Sequence, residues 1–239
     1  MTSAIILAGG LGTRLQSVVS DVPKPMAPIN GRPFLAYLLD YWITQGICNF
    51  VLSVGYKYES IISYFGVNYN SASIDYAIEP SPLGTGGGLM LAFKLLNQEE
   101  PFLLLNGDTF FALDLKVLLS YAEKRNADWC ISVFKSTEIN RYLGVNLSED
   151  GKILSLKALT GGMESMVNGG VYVVHPRTLL SLPNYFQAKF SIEDDLIPGE
   201  ISRGQSIVGY SSDTFFIDIG LPSDYQRALK YFTGGLSPI

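Results

Sequence analysis

The chain has 239 residues, of which 47% are hydrophobic and 16% charged, and its formal net charge is −5 at pH 7. This length and apolar content suffice for one large domain with a substantial core, whereas the negative charge and the lack of a Lys/Arg run argue against nucleic acid or an anionic membrane as a partner, since both need a continuous basic surface. The apolar runs are far shorter than the roughly 18 residues of a membrane span, and no basic segment precedes the first of them, so we expect a cytoplasmic protein without a signal peptide.

The first predicted element is a buried strand, Ile5 to Ala8, that runs into a glycine-rich loop, Gly9-Gly10-Leu11-Gly12, followed by Thr13 and Arg14. Glycine lets backbone N–H groups approach phosphate oxygens, and the Arg14 guanidinium can pair with them in a bidentate way. Leu15 stands where a dinucleotide fingerprint has its third glycine, and the Gly-Lys-Ser/Thr of a Walker loop is missing. The loop indicates a phosphate site, and a tight turn without a ligand is the alternative.

Lys24 follows, between Pro23 and Pro25. The two prolines restrict the backbone and fix the direction of the lysine, which suits a phosphate site, although an ordinary proline-rich turn is the alternative. Apolar residues at helical spacing predict a helix from Pro33 to Gln45, and a strand from Phe50 to Val54 comes next. These elements complete a first β-α-β unit.

A second glycine-rich segment, 79–88, follows a short predicted helix at 59–65 and a predicted strand at 74–78. A flexible linker is the alternative, but a helix pattern that starts at Leu89 and a predicted strand from Phe102 to Leu105 argue against it. A loop at the ends of strands lies where open α/β sheets bind ligands. The next such loop carries Asp108, our first candidate for a metal ligand, although turns of this composition are also common at strand ends.

Asp114 is predicted to cap a helix through Lys124, and a strand from Trp129 to Phe134 follows. In the rest of the chain the predicted strands are shorter, and the turns between them are rich in Asp, Gly and Thr. We expect a single domain, 1–239, with a nucleotide-binding part at about 1–135 and a smaller, less regular part at about 136–239 that packs on the same sheet.

Three features of the second part are candidates for function. Asn168-Gly169-Gly170 precedes the predicted strand Val171 to Val174 and could form hydrogen bonds to a polyol. Ser191 is predicted to cap a helix with Glu193 in its first turn, which is by itself a sufficient structural explanation. Asp218 is a second acid at a strand end, and two such carboxylates would make a site for Mg²⁺ if the fold brings them together.

Cys48 and Cys130 are the only cysteines, and His175 is the only histidine. The cysteines lie far apart in apolar surroundings without another Cys or His at metal-ligand spacing, which favours two buried thiols over a disulfide or a zinc site. His175 follows a predicted strand, and nothing near it in the sequence supports a nucleophilic mechanism. We therefore expect no catalytic role for His175.

Taken together, these motifs resemble the sugar-1-phosphate nucleotidylyltransferase family over nearly the whole chain. In the family's order they are Gly9-Gly10-Leu11-Gly12-Thr13-Arg14-Leu15 with Lys24-Pro25, Leu83-Gly84-Thr85-Gly86, Asn106-Gly107-Asp108, Asn168-Gly169-Gly170 and Phe216-Ile217-Asp218-Ile219-Gly220. Segments 24–29, 56–59, 82–87 and 216–220 are similar in closer detail to the group of guanylyltransferases that act on D-glycero-α-D-manno-heptose 1-phosphate.

The resemblance implies a Rossmann-like α/β fold of the nucleotide-diphospho-sugar transferase type, with a mixed, mainly parallel sheet flanked by helices. It implies that a sugar 1-phosphate attacks the α-phosphorus of a nucleoside triphosphate, above all GTP, and that pyrophosphate leaves, with Mg²⁺ as cofactor. The product, GDP-heptose, would serve cell-surface polysaccharide synthesis. Alternatives are a mannose-1-phosphate guanylyltransferase or another member of the family, a binding module without turnover, and a metal-dependent glycosyltransferase. We expect a monomer or a homodimer.

The resemblance also implies roles for single residues. Arg14 would stabilise the departing pyrophosphate, Lys24 would bridge the α-phosphate and the attacking group, and Asp108 with Asp218 would hold Mg²⁺. The residues expected to bind the nucleotide are Leu7, Ala8, Gly9, Gly10, Gly12, Thr13, Arg14, Glu79, Leu83, Gly84 and Thr85. The residues expected to bind the sugar 1-phosphate are Thr109, Arg141, Gly144, Lys157, Asn168, Gly169 and Glu193.

Glu79 is supported by a physical argument that needs no family. The Watson–Crick edge of guanine offers two adjacent donors, N1–H and N2–H₂, and an ionised carboxylate has two acceptor oxygens. Glu79, beside the loop 83–85, fits this edge.

One region departs from the family's pattern. Members commonly carry a Glu-Lys pair shortly before the Asn-Gly-Gly segment, and its lysine binds the sugar phosphate. Here the region reads Ser155-Leu156-Lys157-Ala158-Leu159, with Leu159 at the usual lysine position. Lys157, with a shift of register, or Arg141 is expected to replace that lysine.

Overall fold

Helices pack on both faces of one large mixed β-sheet, and this arrangement confirms the expected α/β fold class. The computed structural model describes residues 3–10, 12–15, 18–19, 21–138, 141–158, 164–182 and 189–232. Leu159, where the family's lysine was expected, lies outside the described residues.

The strands alternate with helices in the first half of the chain and follow one another more closely in the second. They are β1 (Ser3–Ala8), β2 (Pro28–Ile29), β3 (Arg32–Pro33), β4 (Asn49–Val54), β5 (Asn68–Tyr69), β6 (Ala72–Ile78), β7 (Phe102–Asn106), β8 (Thr109–Phe111), β9 (Trp129–Ser136), β10 (Leu143–Leu147), β11 (Ile153–Ala158), β12 (Ser165–Val174), β13 (Ile207–Ser211) and β14 (Phe216–Asp218). The large sheet has the order β11-β10-β12-β7-β1-β4-β6-β5, and β9 pairs with both β12 and β13. Two small ribbons, β8-β14 and β2-β3, lie apart from it.

The helices are α1 (Phe34–Thr44), α2 (Tyr58–Phe65), α3 (Gly84–Phe93), α4 (Leu115–Lys124), α5 (Pro176–Leu180), α6 (Ile197–Ser202) and α7 (Pro222–Tyr231). A 3₁₀ turn spans Lys24–Met26, and a π-helical turn over Ile192–Leu196 leads into α6. Within the described ranges, none of these helices is both long and apolar enough to cross a lipid bilayer.

The sheet separates two apolar cores because successive side chains of a strand point to opposite faces. In β1, Ala4 and Ile6 join the core under α1, α2, α4 and α7, whereas Ile5 joins the core under α3, α5 and α6. Phe34 and Trp42 of α1 are completely buried in the first of these cores. A strand that is apolar on both faces is typical of a parallel sheet covered by helices.

Four parallel neighbours, β7, β1, β4 and β6, position the loops that carry the sequence motifs. The register pairs Leu7 with Asn106 and Val54 with both Ala8 and Ile78, so these strands end at one level. The glycine loop, the Asp108 turn and Glu79 therefore follow one another along the same edge, where open α/β sheets bind ligands.

Helix α3 begins within the glycine-rich segment, whereas the apolar pattern predicted a helix only from Leu89. The reason lies in packing: a Cβ on Gly86 would overlap the ring of Phe190, and the backbone N–H of Gly86 donates to the Phe190 carbonyl at 3.0 Å. A glycine lowers the intrinsic stability of a helix by about 1 kcal/mol relative to alanine, so helical propensity alone places the start of α3 too late.

Both predicted helix caps, Asp114 and Ser191, are confirmed. The Asp114 carboxylate accepts a hydrogen bond from the Val117 N–H at the start of α4, and the Ser191 hydroxyl accepts from two N–H groups of the π-helical turn. His175 also caps a helix, since its Nδ1 accepts from the N–H of Arg177 at 3.3 Å. These contacts account for all three residues in structural terms.

Cys48 and Cys130 both lie in the described part of the chain and form no disulfide, as predicted, but only Cys130 is buried, and Cys48 is half-buried. Burial raises the pKa of the Cys130 thiol to about 12. At neutral pH this thiol stays protonated and is a poor nucleophile.

Candidate active site

A cavity of about 490 Å³ opens at the edge where β7, β1, β4 and β6 end. Its lining includes every residue predicted to bind the nucleotide except Leu83, together with Lys24 and Asp108. The structure thus collects around one volume residues that are spread over the first half of the sequence.

The glycine loop forms the floor of this cavity. Thr13 and Arg14 are exposed in a turn that follows Gly12, whereas the next residue, Leu15, is only 1% exposed and packs into the core. The Leu15 N–H donates to the Gly12 carbonyl at 3.0 Å, which closes the turn. A buried leucine therefore anchors the loop while Arg14 stays available at the cavity wall.

Lys24 lies between the two predicted metal ligands. Its Nζ is 2.5 Å from Asp108 Oδ2 and 3.3 Å from Asp218 Oδ1, and only 10% of its side chain is exposed. Burial disfavours the charged form of Lys24, but the two carboxylates outweigh this effect and raise its pKa. Burial likewise opposes ionisation of Asp108, yet the Lys24 ammonium lowers the pKa of this carboxyl, whereas burial and the charge of Asp108 raise the pKa of Asp218.

The strand ribbon β8-β14 brings the two acids together. Asp108 stands in the turn between β7 and β8, and Asp218 is the last residue of β14, directly opposite Thr109 in the antiparallel register. The N–H of Ile219 donates to the Asp108 carbonyl at 3.0 Å, and the N–H of Gly220 donates to Asp218 Oδ1 at 2.6 Å. The fold therefore brings Asp108 and Asp218 together, as a shared Mg²⁺ site would require.

Two adjacent carboxylates suit a hard divalent cation. Mg²⁺ is usually bound through one or two carboxylates, with water and substrate phosphates supplying the remaining oxygens. In the described part of the chain no group of three or more His, Cys, Asp or Glu side chains could hold a metal. Asp108 and Asp218 therefore fit a metal that shares its coordination with a bound nucleotide, and do not form a site enclosed by protein ligands.

Glu79 lines the same cavity and is held by two hydrogen bonds. The Ser53 hydroxyl donates to Glu79 Oε1 at 3.2 Å, and the N–H of Leu83 donates to Glu79 Oε2 at 3.0 Å. The carboxylate lies against the backbone of Gly9, where a Cβ would overlap Oε1. Each oxygen keeps lone pairs beyond these bonds, so the group can still accept from a ligand. Leu83 does not line the cavity but orients the residue that does.

A chain of hydrogen bonds joins the nucleotide side to the predicted sugar side. The Thr85 hydroxyl donates to Glu193 Oε2 at 3.0 Å, the Tyr172 hydroxyl donates to Glu193 Oε1 at 3.1 Å, and the amide of Asn168 donates to the Tyr172 oxygen at 2.7 Å. Burial, and the charge of Glu193, raise the pKa of Tyr172 well above its ordinary value. The neutral hydroxyl is thus maintained as a link, a role that the sequence did not reveal because a tyrosine in a strand reads as a core residue.

Comparison with known protein families identifies the family of the chain. The model of the nucleotidyl transferase family matches residues 3–233. The chain belongs to the nucleotidyl transferase family. This membership confirms the family resemblance derived from the motifs.

Three relatives of this nucleotidyl transferase are similar over nearly their whole length. It is 42% identical to the D-glycero-α-D-manno-heptose 1-phosphate guanylyltransferase of Aneurinibacillus thermoaerophilus, with 95% of this chain and 96% of the relative covered. It is 38% identical to the enzyme of the same name from Campylobacter jejuni, with 95% and 98% covered. The crystal structure of HddC from Yersinia pseudotuberculosis complexed with GMP-PN has a TM-score of 0.84 at 35% identity, and covers 97% of this chain and 100% of that one.

The residues predicted to bind the sugar lie in two places in this nucleotidyl transferase. Asn168 and Gly169 form a bulge where the register of β12 against β9 shifts, and the Thr109 hydroxyl lies 3.2 Å from Asp108 Oδ1. Gly144 and Lys157 instead face each other across β10 and β11, and Lys157 is exposed. None of the seven residues predicted to bind the sugar lines the cavity, so their contact with a sugar phosphate stays a prediction.

Arg141 is held by other residues. Its guanidinium forms ion pairs with Glu138 and with Asp224, whose side chain is 2% exposed, and Arg227 contacts the second oxygen of Asp224 at 3.0 Å. Arg141 also does not line the cavity. Its contacts are those of a residue that ties the start of β10 to α7, and its role with the sugar phosphate stays a prediction.

Lys189 lines the cavity and was missed in the sequence analysis. The next residue, Phe190, donates its N–H to the Leu83 carbonyl at 3.0 Å and accepts from Gly86, which positions the lysine beside the loop before α3. A single lysine that precedes a capped helix carries no pattern that would single it out. Its place in the cavity is visible only in the fold.

Proposed function

We propose that this chain transfers GMP from GTP to D-glycero-α-D-manno-heptose 1-phosphate, which gives GDP-heptose, a precursor for polysaccharide synthesis, and pyrophosphate. The observation that carries the proposal is the similarity, over 95% of the chain, to two enzymes that are named for this activity. The cavity supports it independently, because cationic, carboxylate and bare-backbone groups line one volume of the size of a small-molecule site.

In the reaction, an oxygen of the sugar 1-phosphate attacks the α-phosphorus of GTP, and the bond from that phosphorus to the bridging oxygen of the β-phosphate breaks. The electron pair of this bond leaves with pyrophosphate. Such a displacement requires alignment and neutralisation of charge rather than a covalent intermediate with the protein.

The glycine loop and Arg14 hold the β- and γ-phosphates. Backbone N–H groups and one guanidinium stabilise the charge that grows on the leaving pyrophosphate, so Arg14 acts at the leaving group. Lys24, whose ammonium lies among the acids, neutralises the α-phosphate and the attacking phosphate and reduces the repulsion between these two anions.

Glu79 selects the base. Ser53 and Leu83 fix the plane of the carboxylate, and the remaining lone pairs of its two oxygens accept from guanine N1–H and N2–H₂. Asp108 and Asp218 would hold Mg²⁺, which would supply charge neutralisation and orientation to the phosphates. On the sugar side, Asn168 and Glu193 are fixed through Tyr172, and Lys189 supplies a further cation at the cavity wall.

The proposal is tested by measuring pyrophosphate release with a panel of GTP, ATP, UTP and dTTP against D-glycero-α-D-manno-heptose 1-phosphate and mannose 1-phosphate. We expect the highest kcat/KM for GTP with the heptose phosphate, and Asp108→Ala is expected to abolish release. Preference for mannose 1-phosphate would overturn the sugar assignment alone. Binding of GTP without pyrophosphate release would indicate a binding module, and consumption of a nucleotide sugar without pyrophosphate would indicate a glycosyltransferase.

A further inference from the structure

The ammonium of Lys24 lies between the two carboxylates that are proposed to bind the metal. Its Nζ contacts Asp108 Oδ2 at 2.5 Å and Asp218 Oδ1 at 3.3 Å. A Cβ built on Gly220 would lie 3.0 Å from Nζ, so backbone closes a further side of this position. A lysine cation thus lies at the place where a divalent cation bound to both acids would have to lie.

We infer that Lys24 is an internal counter-ion that excludes Mg²⁺ from Asp108 and Asp218 until a nucleotide α-phosphate draws its ammonium away. This inference rests on the proposed function, because it takes the two acids as the metal site. It adds that metal and nucleotide binding are coupled through one side chain.

The backbone around Lys24 is restricted, so we expect only the side chain to move. The residue begins a 3₁₀ turn between two prolines, and the N–H of Ala27 donates to its carbonyl at 3.0 Å. Proline restricts the backbone dihedral angles, so the main chain cannot retreat to make room for a metal. The ammonium can change partners only by rotation of its four-carbon stem, which keeps it within the cavity that Lys24 lines.

Charge balance gives the direction of the coupling. With Lys24 in place, the two acids and the ammonium carry a net charge of −1, and a divalent cation must displace an ion that is already paired. Moving the Lys24 ammonium away from the carboxylates raises the free energy of the protein unless the ammonium pairs with another anion, since an unpaired charge in a partly buried site is strongly disfavoured. The phosphate of a nucleotide in the cavity supplies that anion, so each ligand strengthens the binding of the other by the same factor.

The test measures Mn²⁺ binding through the electron paramagnetic resonance signal of the free ion, with and without GMP. GMP supplies an α-phosphate without the chelating triphosphate, and its own affinity for Mn²⁺ is measured without protein. The proteins are the wild type, Lys24→Gln and Lys24→Met, with Lys116→Gln as a charge-matched control, because Lys116 is an exposed lysine of α4 that does not line the cavity.

We expect GMP to strengthen Mn²⁺ binding by the wild type about tenfold, and we expect both Lys24 variants to bind Mn²⁺ without GMP about tenfold more tightly than the wild type does. Lys116→Gln should behave as the wild type. Equal or weaker binding by a folded Lys24 variant would overturn the inference and leave the proposed function intact. If Asp108→Asn changes Mn²⁺ binding in none of these conditions, the metal assignment in the proposed function is itself wrong.

Discussion

Substitution of Glu79 by Gln tests the assignment of the base with the smallest possible change of shape. The side chain keeps its length and plane, but one of the two acceptor oxygens becomes an NH₂ donor. Because the Leu83 N–H needs an acceptor and the Ser53 hydroxyl can either donate or accept, the amide will turn its oxygen to Leu83 and its NH₂ towards Ser53. Only one oxygen then remains for guanine.

The magnitude follows from the two donors of guanine. One of N1–H and N2–H₂ loses its acceptor and faces an NH₂ group, and a polar group left without a partner in this way costs about 2 kcal/mol, or about 30-fold in kcat/KM for GTP. The other hydrogen bond loses its charge assistance. Thymine and uracil present a mixed donor and acceptor edge, which an amide can match, so turnover of dTTP and UTP should rise or stay unchanged.

The assay is pyrophosphate release from GTP and from dTTP, with the same sugar 1-phosphate, reported as a ratio of kcat/KM values. Asp75→Asn is the matched control, since it makes the same change of carboxylate to amide at an exposed position of β6, the strand that ends just before Glu79. A ratio for Glu79→Gln that equals the ratio of the wild type would refute the role of Glu79 in base selection.

Three further predictions follow from other parts of the molecule. Arg141→Ala should lower the free energy of unfolding by about 3 kcal/mol in urea titrations, because the buried Asp224 keeps only the exposed Arg227; unchanged stability with a raised KM for the sugar phosphate would instead favour a substrate contact. Cys130 should resist iodoacetamide at pH 8 in the native protein and react only after unfolding, since burial raises its pKa to about 12, and native labelling at this residue would contradict the structure. EDTA should abolish pyrophosphate release and excess Mg²⁺ should restore it, while full activity in EDTA would remove the metal from the proposal.

The sequence predicts well which residues line the cavity on the proposed phosphate side, because bare backbone and strand ends are local signals. Gly12 lies in a glycine-rich loop, Lys24 lies between two prolines, and Asp108 follows a strand. Each of these local features can be recognised in the sequence, and all three residues line the cavity. That Asp218 joins Asp108 depends on the β8-β14 register, which links strands more than a hundred residues apart and leaves no local trace.

The sugar side is predicted less well for the same reason. In the sequence Arg141 looks like a cation that is available to a ligand, because its main partner, Asp224, is 83 residues away. Tyr172 sits in an apolar strand like any core aromatic, and its hydroxyl gains a function only because Asn168 and Glu193 converge on it. Side chains whose role depends on a distant partner are those that pattern alone cannot assign.

The contact of Phe190 with the start of α3 affects how specificity can be engineered. Segment 189–193 forms hydrogen bonds with Leu83, Thr85 and Gly86. The ring of Phe190, in this segment, fills the space that a side chain at position 86 would need. A chimera that exchanges only the loop 79–86 with a relative of different base preference would therefore place an unmatched surface against Phe190. Grafts that transfer both segments as one cassette should retain folding, and in such grafts the wall for the base and the wall for the sugar would be inherited together.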